Sequence, residues 1–508
     1  IAGVIVERAK VLATLKEREI CESGVKLDGS QYPDFYPLNP KLKGFEIVVT
    51  SCNNKAVENI SAELPKLDSV DKAYLDELDY FRMQATRLLS ANMRTSNFKS
   101  QISQPAWGLI CATLGNSGNV NNFKESCLND FFIAQNHPEF DVLKTQGAIT
   151  NYNAKFKVEG LVNLLKFSKQ SSDFENAKKE FNDALNTANM RLALLNFAAQ
   201  KTASAGQSKD ERENSSPFMA ENGIKTAVAQ ARINVFIKAL NLHKTAIWSQ
   251  KAKFGTNLTA FRDLSKFKKK EQAREILKSL FFVVPVVSST FASFGRFFSD
   301  FGENDIGLLL VDESGQANIS NAVGALYRSK TAVIVGDPLQ LEPVVTLPEN
   351  LNDVLLGYTG ASREFNVATT SLQACADKTQ KIGAYLGQTW VGSPLIVHRR
   401  CDNPMFNVAN ETTYDGAMVW GKGKNKNSLE GAVSASCWVD IKTSVWSGNS
   451  SDNELAAADQ IYKSLKAVIG ANASEQIKVI TPFTDVVKQS AALQKQGKIQ
   501  IRANTIHT

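Results

Sequence analysis

At 508 residues the chain exceeds what one ordinary core organises, and two or three domains are expected. Its 43% hydrophobic and 21% charged residues are those of a soluble globular protein, and a formal charge of +7 permits a nucleic-acid partner without demanding one. None of the seven cysteines forms a C-x-x-C pair, so no zinc site or disulfide framework is readable, and a reducing, cytoplasmic setting is predicted. No run of about 18 apolar residues offers a membrane span, and the charged N-terminal stretch lacks a signal-peptide pattern.

In chain order, residues 1–16 show helical apolar spacing without a starting cap, as if continuing a helix begun upstream. GFEIVVT (44–50) reads as a short buried strand rich in β-branched residues, and 56–64 as a helix, half of a βαβ unit. From 65 to 282 the texture becomes long helical patterns with few prolines. Phe174, Ala177, Phe181, Ala184, Ala188, Leu192 and Leu195 recur at steps of three and four, the packed face of a helix or coiled-coil arm. A polar stretch (201–217) and a second helical run (218–248) predict an antiparallel hairpin; two ordinary helices joined by a long loop remain the alternative. Strand texture returns at Phe281 and recurs at 308–311 and 332–335. The expected organisation is therefore one α/β domain in two parts, 1–64 and 283–375, interrupted by a helical insertion over 65–282. A second α/β domain, 376–508, is expected from the apolar run at 477–480 and the apolar and aromatic positions around 395–420.

Two boxes carry chemistry. The first apolar run ends in Asp312-Glu313, with Gln316 beyond; the second ends in Gly336-Asp337, followed by Gln340-Leu341-Glu342-Pro343-Val344. Strands that deliver acids and amides at their carboxyl ends build a nucleotide site at the edge of a parallel sheet. Asp312 suits a magnesium ion held through water, because that ion takes hard oxygen ligands and keeps several waters. Glu313 is placed to polarise the water that attacks a terminal phosphate. Gly336 allows a tight exit from its strand, and Asp337 and Gln340 bring polar groups there.

These boxes resemble motifs II and III of superfamily 1 helicases, the UPF1-like branch most closely. The resemblance extends along the chain. VVTSCNNKAVENI (48–60) resembles motif Ia, which implies that Ser51, Asn53 and Asn54 grip a nucleic-acid backbone, although the same residues would also cap a helix. VVSSTFASF (286–294) would add Ser289 and Thr290. VHRRCDNPMFNVANETTYDG (397–416) resembles the motif IV region, in which Arg400 matches the arginine finger and Arg399 is its neighbour. VITPFTDVVKQ (479–489) and ANTIHT (503–508) resemble later motifs and imply strand contacts from Thr481, Pro482, Thr505 and His507. No phosphate-cradling G-x-x-x-x-G-K-[ST] occurs; the chain is expected to be an internal fragment, inactive alone, whose phosphate loop lies upstream.

The resemblance implies two RecA-like parallel-sheet P-loop NTPase domains, the second incomplete, with ATP and Mg2+ as cofactors. It implies movement 5′ to 3′ on single-stranded DNA or RNA. An ATP-gated scaffold without unwinding activity is the alternative. The insertion, with its basic run 266–270, would meet phosphates or dock a protein partner; no membrane partner is expected.

Overall fold

The computed structural model describes all residues except 27–34, 95–104, 135–149, 153–154, 170, 205–215, 265–269, 423–437, 471–476 and 506–508. The basic run at 266–269, His507 and most of the polar stretch after residue 204 lie outside the described residues. The chain divides into two compact units, Ile1–Lys381 and Ile382–Thr508.

The first unit is built on a five-stranded, wholly parallel sheet. Its strands are β1 (Ile47–Ser51), β2 (Cys111–Thr113), β6 (Val286–Thr290), β7 (Ile306–Val311) and β8 (Ser329–Ile334), in the order β2-β6-β1-β7-β8. All five residues of β1 are buried, as expected for a central strand of a parallel sheet covered on both faces. Helices Asn54–Glu63, Phe291–Phe297 and Ile319–Tyr327 pack against the sheet. At the β8 edge, Lys330, Thr331, Ala332 and Val333 are exposed. This is a mixed α/β fold with a central parallel sheet.

The stretch 65–282 is not wholly helical. Its β2 joins the central sheet beside β6, and β3 (Phe131–Ala134), β4 (Thr150–Tyr152) and β5 (Lys155–Val158) form a separate antiparallel sheet in the order β3-β5-β4. Each of these strands is only three or four residues long, too short to show a period against a helical background. Conversely, Phe281–Val283, expected as strand, closes the helix Lys270–Val283. Leu277, Leu280, Phe281 and Val284 fall at helical spacing and are buried; Pro285, which disfavours helix at the residue before it, follows, and the strand starts at Val286.

Helices Phe174–Ser204 and Ser216–Ser249 run antiparallel: Lys238 pairs with Glu180 at 3.2 Å, and Arg191 donates to the Ala227 carbonyl at 3.0 Å. Phe174, Phe181, Ala184 and Ala188 are buried, but Leu192 is exposed, so the packed face ends before the predicted stripe does. The second helix is not an appendage. Ile237, Leu240, His243 and Ile247 are buried, and the three aliphatic side chains join the same core as the sheet. Arg8, on the helix Ala2–Ala13, donates to His243 Nε2 at 3.0 Å and to the Phe281 carbonyl at 2.8 Å. Its guanidinium lies 5.0 Å from the Phe282 ring centroid. His243 therefore carries its proton on Nδ1 and donates to the Ala239 carbonyl at 2.9 Å.

The second unit contains an antiparallel hairpin, β9 (Gly383–Leu386) with β10 (Thr389–Gly392). Two parallel pairs follow, β11 (Val397–His398) with β12 (Val419–Trp420) and β13 (Val479–Thr481) with β14 (Ala503–Thr505). Helix Thr484–Lys495 crosses from β13 to β14, a small βαβ unit whose core is Leu455, Leu493, Ile499 and Ile501.

Candidate active site

The parallel register aligns the strand ends. Asp312 N–H donates to the Thr50 carbonyl at 2.9 Å, Val335 N–H to Val311 at 2.9 Å, and Ser314 N–H to Val335 at 3.0 Å. Asp312 thus leaves the sheet beside the end of β1 on one side and the end of β8 on the other.

Glu313 turns the chain. Its backbone is left-handed (φ 54°, ψ 43°), a conformation that costs a non-glycine residue roughly 1–3 kcal/mol and persists only where its surroundings enforce it. The turn buries Ser314 and leaves Asp312 and Glu313 half-exposed. Gln316 reaches back, with Nε2 at 3.4 Å from Glu313 Oε2. On the next strand end, the Asp337 carboxylate accepts from Leu339 N–H at 3.0 Å and from Gln340 Nε2 at 2.9 Å. The acid–amide pair is fixed while Gln340 itself remains exposed.

Two glycines let the loops meet. A Cβ on Gly315 would lie 2.6 Å from the Asp337 carbonyl oxygen, and one on Gly336 would lie 2.6 Å from Ser314 Oγ. Cys52, which sequence reasoning passed over, stands at the exit of β1. The residue is exposed, yet partial desolvation raises its thiol above the ordinary value, with the Glu313 carboxylate acting in the same direction. The signal for it was weak: one cysteine after a strand.

The residues expected to touch a strand fall into two groups. Ser51, Ser289 and Thr481 are buried. Ser51 Oγ accepts from Asn53 N–H at 3.2 Å, Ser289 Oγ donates to the Thr290 carbonyl at 3.2 Å, and Thr481 Oγ1 accepts from Phe483 N–H at 3.2 Å. Asn53 caps helix Asn54–Glu63 by accepting from Lys55 N–H at 2.8 Å. Asn54 and Pro482 are exposed and Thr290 is half-exposed. Thr505 pairs with Thr481 in the β13–β14 register. Arg399 and Arg400 follow β11 and are exposed; among the described residues no salt bridge engages either. The loop after β2 leaves the sheet beside the end of β6, with Asn116, Ser117 and Gly118 exposed.

A parallel sheet that gathers acids and amides at adjacent carboxyl ends has the arrangement on which open α/β proteins build their ligand sites. Residues 10–347 match the AAA_11 model of the AAA domain, which spans more than half of the chain. The chain belongs to this AAA-domain family, a domain found in UPF1-like superfamily 1 helicases and a helicase-type P-loop NTPase. A search of the curated proteins finds no match. Among the described residues no helix is long and apolar enough to cross a membrane.

Proposed function

We propose that this protein is a nucleic-acid-dependent ATPase of the UPF1-like kind, a motor that moves 5′ to 3′ along single-stranded DNA or RNA. The observation that carries the reading is the alignment of Asp312-Glu313 with Gly336-Asp337 and Gln340 at one sheet edge, supported by the family match.

Asp312 offers one half-exposed carboxylate at the strand end. That fits magnesium, which binds one or two carboxylates together with water and substrate phosphates. When bound, the ion supplies neutralisation of phosphate charge. Glu313 then accepts a proton from the attacking water, with Gln316 orienting its carboxylate. Asp337 holds the Gln340 amide where a terminal phosphate would be sensed. Arg400 presents a permanently charged planar fork suited to phosphate oxygens, the role of an arginine finger. Asn53, Asn54 and Thr290 supply amides and a hydroxyl at the same edge, groups that hold a sugar-phosphate backbone without reading sequence.

The test is Glu313→Gln in the complete protein. Turnover should fall by about 100-fold or more, the scale of a lost general base, while ATP binding is retained. Unchanged turnover would remove this reading. ATP-dependent strand displacement would further separate a motor from a nucleotide-gated scaffold.

A further inference from the structure

Behind Glu313 lies a polar chain that the hydrolytic reading does not use. Ser314 is fully buried and its hydroxyl bonds Gln373 Oε1; Gln373 Nε2 donates to Asp377 Oδ1 at 2.9 Å. Gln373 and Asp377 are 5% and 3% exposed, so all three groups sit in the interior. A carboxylate only accepts, which fixes the amide orientation and commits the Ser314 proton to Gln373.

The helix that carries the pair, Leu372–Thr379, is fastened to the same loop. Leu372 N–H donates to the Ala317 carbonyl at 2.9 Å, Ser371 bridges to Asn318, and Ser371 caps the helix by accepting from Ala374 N–H at 3.2 Å. Ser314 is thereby gripped twice, through its N–H by Val335 at the end of β8 and through its hydroxyl by this helix. The residue before it is Glu313, in its left-handed turn. Two residues past Thr379 the first unit ends at Lys381.

We infer that Gln373 and Asp377 are positioning residues that hold Ser314, and through it the strained backbone of Glu313, and so tie the general base to the last helix of the first unit. The inference rests on the hydrolytic reading above. A base displaced by about 1 Å loses on the order of 100-fold in rate without losing substrate.

The experiment is steady-state ATP hydrolysis by the complete protein, with thermal unfolding measured in parallel. Gln373→Leu should lower kcat by about 10- to 100-fold with KM changed less than about threefold, the signature of an interaction realised in the transition state. Gln373→Glu sets a second carboxylate against Asp377 and should lose rate similarly. Adding Asp377→Asn to that variant lets the carboxylate introduced at position 373 accept from both neighbours and should recover most of the rate. A kcat at the wild-type level in Gln373→Leu overturns the inference while leaving the hydrolytic reading intact. A loss that tracks only the unfolded fraction, or no recovery in a folded double variant, overturns it as well. No hydrolysis by the wild-type protein removes the hydrolytic reading and this inference with it.

Discussion

The two units hold their functional side chains in opposite ways. In the first, the strand ends share one register, and three polar groups near Asp312 are each held by a second: Gln316 to Glu313, Gln340 to Asp337, Ser314 to Gln373. In the second, the strands are two to four residues long, the contiguous core is small, and Arg399 and Arg400 stand exposed. The difference teaches where geometry is needed. Water activation by a carboxylate, the role proposed for Glu313, tolerates little displacement, and the five-stranded parallel sheet supplies a rigid base for it. The guanidinium of Arg400 is always charged and planar, so it carries its fork to phosphate oxygens without needing a fixed partner in its own unit.

The comparison makes graded predictions. Arg400→Ala should give the largest effect on turnover, about 1,000-fold in kcat, the scale of a lost arginine finger. Because the side chain is exposed, its effect on stability should stay within about 0.5 kcal/mol. Kinetics and denaturant unfolding on one preparation check both halves, and a large stability loss would break the contrast between the units.

Gly315→Ala should do the reverse in the first unit. Its Cβ meets a backbone oxygen that cannot swing away, so stability should drop by about 1–3 kcal/mol. The same measurement should show hydrolysis lost along with it, because Gly315 joins the two acid-bearing loops.

The smallest effect concerns the buried Arg8–His243 pair. Burial holds the imidazole well below its ordinary value, and the adjacent guanidinium acts in the same direction. A base whose folded value is depressed takes up protons preferentially in the unfolded chain. The first unit should therefore lose stability as pH falls below about 6.5, by at most about 1.4 kcal/mol per pH unit from this group. His243→Gln keeps an acceptor for Arg8 and should flatten that part of the slope. Urea midpoints at pH 7.5, 6.5 and 5.5 would show it; an unchanged slope would mean that other groups set the acid limit.

Much of the first unit was legible because its signals were local. An apolar run that ends in Asp312-Glu313, and another that ends in Gly336-Asp337, are short patterns that give the strands and the place where each ends. The helical spacing from Phe174 to Ala188 was equally direct. What escaped needed distant partners. Cys111–Thr113 becomes a sheet strand only because β6 offers an edge to it. Phe281 reads as strand until the helix Lys270–Val283 places it in the core. Gln373 and Asp377 have no motif around them; their meaning comes from a hydroxyl 59 positions before Gln373. The inward rotation of Ser51, Ser289 and Thr481 was likewise hidden, since a hydroxyl at a strand end serves a cap and a phosphate equally well in sequence.

The central claim is nucleic-acid-stimulated hydrolysis at the Asp312-Glu313 edge. Its most direct test is steady-state ATPase activity of the complete protein, alone and with single-stranded DNA or RNA. The account predicts stimulation by one of these polymers, abolished in Glu313→Gln. Hydrolysis absent with both polymers, or stimulated equally in Glu313→Gln, would contradict it.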